Sequence, residues 1–249
     1  MEIKGLLVDL DGTLYVGDEA LDGAREALGR LRDAGLLIRY VTNTTRKPRR
    51  AVHAHLLSLG FDVDQAEIFT PARTAAALLR DRSCFPLVDG SLLEDLGDVV
   101  LTDEAPDYVL VGDIGEDFDY AKMNAAFRHL MDGADLLALQ KNRYWRTEDG
   151  LSLDAGPFVA ALEYASGKSA TVVGKPERSF FELALREMDL EPGEAAMVGD
   201  DPESDVDGGL AAGLRAFQVQ TGKYRPETKN GEADLVIGSI ADLPDALGI

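Results

Sequence analysis

Val8-Asp9-Leu10-Asp11-Gly12-Thr13-Leu14 is the stretch around which this chain is organised. It follows an apolar run from Ile3 to Val8, broken only by Lys4 and Gly5, and a short apolar run ending in turn residues predicts a buried strand. In an open α/β sheet, chemistry sits beyond the carboxyl ends of the strands, so Asp9 and Asp11 are expected to leave the strand as a carboxylate pair facing a crevice. Two acids at that spacing can hold a hard cation, one through a carboxylate oxygen and the other through a backbone carbonyl or side chain, which suits Mg²⁺. Gly12 permits the tight turn. A strand end with two solvated acids has the same local pattern, so the decision falls to the rest of the chain.

Residues 21–34 predict a helix, with Ala24, Leu28 and Leu31 on one face and Gly35 as its stop. Residues 36–41 predict a second strand, parallel to the first because a strand–helix–strand unit crosses over right-handedly. At its end stands Thr42-Asn43-Thr44-Thr45-Arg46. Small hydroxyl and amide groups with free N–H groups can hold a phosphate oxygen, and the same residues can cap the helix predicted over 48–59. His53 and His55 on that helix have no second ligand at metal spacing and read as surface residues. Ile68-Phe69 is a short strand, and Thr70-Pro71 opens another helix.

Near Arg80 the texture changes. Strands are predicted over 86–88, 99–101, 108–111 and 136–139, with helices over 120–131 and 158–165. Long strand–helix units return after Thr171. The chain therefore reads as a core (1–80 and 170–249) carrying an inserted α/β domain (81–169). In the insert, Gln140-Lys141-Asn142-Arg143-Tyr144-Trp145-Arg146 is basic and aromatic in an acidic protein and holds its one Trp. Such a loop could grip an anionic organic substrate, and a solvated hairpin fits it equally well. Asp154 reads as a turn acid.

The strand over 171–173 ends in Gly174-Lys175-Pro176, which sets a lysine at a strand end, where it could reach the crevice as a point charge for phosphate or stand as an ordinary surface lysine. The strand over 195–198 delivers Gly199-Asp200-Asp201-Pro202-Glu203-Ser204-Asp205. If the sheet is parallel, this acid cluster meets the first, and carboxylates crowded together call for a cation. Strands over 216–219 and 235–237 close the sheet, and Ser239 caps a last short helix.

The 249 residues carry a formal net charge of −20, which argues against nucleic-acid binding. No apolar run is long enough for a membrane span, no secretory leader is evident, and the single Cys84 excludes a disulfide framework. A cytoplasmic protein is expected. Its acidic, lysine-poor composition would suit a high-salt cytoplasm, where self-repulsion is screened.

Asp-Leu-Asp-Gly-Thr at the first strand, Thr-Asn after the second, Gly-Lys-Pro later and Gly-Asp-Asp with Asp205 resemble, in order, the four motifs of the haloacid dehalogenase superfamily. The insert resembles the large C2-type cap of the NagD-like branch. The resemblance implies a Rossmann-like parallel-sheet core with an inserted α/β cap, and a Mg²⁺-dependent phosphatase of small phosphorylated metabolites. It implies Asp9 as nucleophile and Asp11 as general acid and base. Thr42, Asn43 and Lys175 would bind the phosphoryl group, with Gly12 and Asn142 as further candidates. Mg²⁺ would be held by Asp9, the Asp11 carbonyl and Asp200, with Asp201 and Asp205 orienting its waters. A cap-mediated homodimer is a further implication. The reading from a different class is a non-catalytic phosphate-binding or regulatory protein, against which the retained Asp11 argues, since a binder needs no proton shuttle.

Overall fold

The computed structural model describes residues 3–147, 150–225 and 232–249. The chain forms two compact units, one made of Met1–Thr42, Arg49–Phe69 and Lys175–Ile249, the other of Asn43–Pro48 and Thr70–Gly174.

The first unit is built on a six-stranded parallel sheet. From one edge to the other its strands are Leu235–Ile237, Arg215–Val219, Ala195–Gly199, Gly5–Asp9, Leu37–Val41 and Ile68–Phe69. Gly5–Asp9 is central, and all five of its residues are buried. Leu6 and Val8 pack on one face with Leu28, Leu31 and Leu56. Leu7 packs on the other face with Phe180, Phe181 and Leu185. A strand covered on both faces must be apolar at every position, which is why its sequence runs apolar without alternation.

The second unit holds a five-stranded parallel sheet, in the order Thr171–Val172, Asp135–Ala138, Tyr108–Val111, Ser83–Leu87, Val100–Leu101. The helix Pro71–Leu78, which the sequence places in the first part of the core, belongs to this unit. Its Ala72 and Ala75, with Leu79 just beyond, pack against Cys84, Leu110 and Leu137. Cys84 is a packed thiol, and burial pushes its pKa up to about 11.

Several bounds differ from expectation for local reasons. The first helix begins at Ala24, because Gly23 before it is left-handed at φ 75°. The helix expected over 158–165 spans Ala155–Ser166, since the Asp154 side chain caps it by accepting the Ala155 N–H. Residues 140–146 lead into a hairpin, Tyr144–Thr147 paired with Gly150–Leu153. Two-residue strands Tyr15–Val16 and Glu19–Ala20 form a small hairpin that is too short to announce itself by periodicity. Among the described residues no helix is long and apolar enough to cross a membrane.

Phe180 is fully buried and meets Phe69 edge-on at 5.0 Å and Phe181 at 5.7 Å. Phe180→Ala is expected to cost about 3–5 kcal/mol of stability by urea unfolding. Tyr164→Ala, at a side chain 94% exposed, should stay within about 0.5 kcal/mol of the parent.

Candidate active site

The parallel register brings the two acidic strand ends together. Val8 pairs with Val198, so Asp9 stands level with Gly199 and the chain then turns out at Asp200. Carboxylate oxygens of Asp9, Asp200 and Asp205 all lie within 4.8 Å of one another, and all three residues are buried. Lys175 sits among them. Its Nζ donates to Asp9 Oδ1 at 2.5 Å and to Asp205 Oδ1 at 2.7 Å, with the lysine side chain only 3% exposed.

The remaining acids have separate tasks. The second oxygen of Asp205 accepts the Asp201 N–H at 3.1 Å, so both of its oxygens are engaged. The Asp201 carboxylate accepts the N–H groups of Glu203 and Ser204, capping the wide helical turn Pro202–Asp207, and pairs with Lys223 Nζ at 2.8 Å. Asp200 Oδ2 accepts the Lys223 N–H at 2.6 Å. Among the described residues, Asp9 Oδ2 and Asp200 Oδ1 accept no hydrogen bond.

Asp11 is exposed, in a turn closed by the Gly12 N–H to the Tyr15 carbonyl at 2.8 Å. Gly12 has φ +89°, and a Cβ there would lie 2.3 Å from Asp200 Oδ2. Burial raises the Tyr15 hydroxyl above its ordinary pKa, with the charges of Asp11 and Asp9 adding to it. Thr42 follows Val41, the strand partner of Asp9, and so stands at the same sheet edge. Asn43 begins the second unit, where its Oδ1 lies beside Gly174. Asn142, also in the second unit, is exposed, and its side chain hydrogen-bonds Asp154. Asp154 is more than a turn acid. It is buried, and Gln140 and the Ala155 N–H also donate to it.

Burial dominates the electrostatics. It pushes Asp200 up to about 6, helped by the charge of Asp205 and opposed by the Lys223 N–H. It pushes Asp205 up to about 7, against the pull of Lys175. Asp9 is raised as well, since loss of solvent outweighs Lys175 and the neighbouring Asp200 adds repulsion. Burial would lower Lys175, but Asp205 and Asp9 hold it above its ordinary value. For Asp201, burial is outweighed by Lys223 and by the Ser204 N–H, which leave it below the usual range. Three buried carboxylates around one ammonium, offering oxygen donors only, fit a hard divalent cation.

The sequence alone assigns no role to Thr221 or Lys223, which the structure places against the acid cluster. Their position just past a strand of the same parallel sheet was the available signal, because every strand of such a sheet delivers its next loop to the same edge.

The Haloacid dehalogenase-like hydrolase family profile matches residues 6–99, and the HAD-hydrolase-like profile matches residues 172–243. The chain is 48% identical over 225 residues to haloacid dehalogenase-like hydrolase domain-containing protein 2 of Rattus norvegicus, covering 90% of this chain and 86% of the relative. It is 40% identical over 256 residues to the phospholysine phosphohistidine inorganic pyrophosphate phosphatase of Bos taurus, covering 98% and 94%. Among solved structures it matches the p-nitrophenyl phosphatase from Archaeoglobus fulgidus with a TM-score of 0.91 at 26% identity, covering 99% of this chain and 100% of the other. It matches NagD from E. coli K-12 with a TM-score of 0.89 at 26% identity, covering 97% and 98%. The chain belongs to the haloacid dehalogenase-like hydrolases and is an enzyme of their NagD-like phosphatase branch.

The raised carboxyls set a pH dependence. Asp200 and Asp205 bind protons more tightly when folded, at about 6 and about 7, than their ordinary value of 3.8. The folded state then holds more protons than the unfolded state between those values, so stability falls as pH rises from about 4 to about 7. Thermal melts in EDTA should show that fall. A divalent cation should raise the melting temperature most at the upper end of the range, and Asp205→Asn should flatten the slope.

Proposed function

We propose that the chain hydrolyses phosphate monoesters of small metabolites in two steps, through a phosphoryl group carried on Asp9. The observation that carries this reading is the contrast between its two aspartates. Asp9 is 7% exposed and hydrogen-bonded to Lys175, whereas Asp11, two residues on, is exposed. Carboxylates in such different environments suit different roles, one as nucleophile and one as proton carrier.

In the first step an Asp9 oxygen attacks phosphorus, and Asp11 gives its proton to the leaving oxygen. In the second, Asp11 takes a proton from water as that water attacks the aspartyl phosphate, freeing Asp9 and inorganic phosphate. Lys175, Thr42 and Asn43 bind the phosphoryl oxygens. The lysine also offsets charge on Asp9, so the cost of gathering negative charge is met before substrate arrives. Mg²⁺ would be held by Asp9, the Asp11 carbonyl and Asp200, where it would supply charge stabilisation for the phosphoryl group. Asp205, with both oxygens engaged, orients Lys175 and the strand end, while Asp201 holds the following turn. The phosphatase names of the relatives support the reaction class, and a relative named for phospholysine, phosphohistidine and pyrophosphate puts small phosphoryl donors beyond simple esters in the panel to test.

Phosphate release from p-nitrophenyl phosphate and a panel of small phosphorylated metabolites tests the proposal. Turnover should require Mg²⁺ and stop in EDTA. Asp9→Asn should abolish it, and Asp11→Asn should lower it by about 10²–10⁴-fold. Mass spectrometry should find the phosphoryl adduct on Asp9. Retained turnover in Asp9→Asn would sink the mechanism. Wild type that binds Mg²⁺ and phosphate but turns nothing over would make the chain a binding protein.

A further inference from the structure

The loop Thr221-Gly222-Lys223 reaches the acid cluster from a strand that contributes no catalytic motif. Three contacts tie it in. The Lys223 N–H donates to Asp200 Oδ2 at 2.6 Å, Lys223 Nζ to Asp201 Oδ2 at 2.8 Å, and Thr221 Oγ1 to the Gly12 carbonyl at 2.5 Å. Gly222, at φ +59°, passes so close that a Cβ would lie 2.1 Å from Asp200 Oδ2 and 2.7 Å from Gly12 Cα. The loop thus grips, at once, the carboxylate that would ligate the cation and the turn that carries Asp11.

We propose that Thr221–Lys223 is a positioning clamp for the metal site. The backbone N–H of Lys223 occupies Asp200 Oδ2 and thereby turns Oδ1 to the cation, while Thr221 fixes the Gly12 turn so that the Asp11 carbonyl faces the same point. The Lys223 ammonium, on Asp201, is the anchor that holds the loop in place. Outer partners of this kind orient metal-ligating carboxylates, and their loss typically weakens metal binding about 10–100-fold. The proposal rests on the divalent-cation reading of the cluster.

Charge and positioning make opposite predictions for Lys223. If the ammonium acted only as a nearby positive charge, removing it would tighten Mg²⁺ binding, because cation and ammonium repel. If it anchors the clamp, removing it loosens Asp200 and weakens binding. Thr221→Val changes no charge and so reports on positioning alone.

The test is calorimetric titration of the full chain with MgCl₂, without substrate, for wild type, Thr221→Val, Lys223→Met and Lys223→Arg. Melting temperatures in EDTA establish that each is folded. Thr221→Val and Lys223→Met are expected to weaken Mg²⁺ binding about tenfold or more, with Lys223→Arg within about threefold of wild type. Affinity unchanged in folded Thr221→Val, or tightened in Lys223→Met, overturns the clamp. If Lys223→Met fails to fold, the Thr221→Val titration decides alone. Wild type that takes up no Mg²⁺ overturns the cation reading itself, an outcome separate from failure of the clamp.

Discussion

The structure turns on the burial of charge at one sheet edge. Asp9, Asp200 and Asp205 are each within 7% of full burial, and the ammonium nearest to them, Lys175, is equally enclosed. An isolated buried carboxylate is costly, and three together are tolerated only with counter-charge and hydrogen bonds close by. Much of the first unit's local architecture can be read as meeting that demand. Lys175 bridges two of the acids, backbone N–H groups from Asp201 and Lys223 reach two of them, and among the described residues the remaining open oxygens belong to Asp9 and Asp200.

The same demand explains three glycines. A side chain at Gly12, Gly199 or Gly222 would put its Cβ 2.3, 2.1 and 2.1 Å from carboxylate oxygens of Asp200, Asp205 and Asp200 respectively. No other residue fits such spaces without displacing an acid. The Asp-Gly and Gly-Asp pairs in the sequence are therefore statements about volume as much as about turns, since backbone must come close for charged side chains to share so small a space.

Much of this was legible because parallel strands carry their meaning at one end. Apolar runs ending in Asp9 and Asp200 announced the six-stranded sheet and its acidic edge, and Lys175, which joins them there, follows a strand of the five-stranded sheet. What escaped has physical reasons. Lys223 reaches Asp200 through its backbone N–H, which no residue type encodes, and that partner lies 23 positions away. Asp154 is held by Gln140 across 14 positions, so its burial is a tertiary fact, invisible to local pattern. The helix Pro71–Leu78 has an alanine-rich buried face that fits either sheet, and only its packing on Leu110 and Leu137 assigns it to the second unit.

The turn after the first strand bears most directly on chemistry. In a continuing strand, Asp9 and Asp11 would point to the same face, since side chains two apart do so. A fourth carboxylate would then join the buried cluster, and neither acid could be distinguished by its surroundings. The chain leaves the strand at Leu10 instead. The Leu10 carbonyl accepts the Leu14 N–H at 2.8 Å, the Gly12 N–H returns to Tyr15, and Leu10 and Leu14 go fully into the core. Anchored by those two leucines, the turn swings Asp11 out to solvent while Asp9 remains against Lys175. Under the proposed mechanism, a proton carrier has to reach both water and a leaving group, and a nucleophile has to be held still and kept partly dry. One tight turn gives two identical side chains, two residues apart, those two environments.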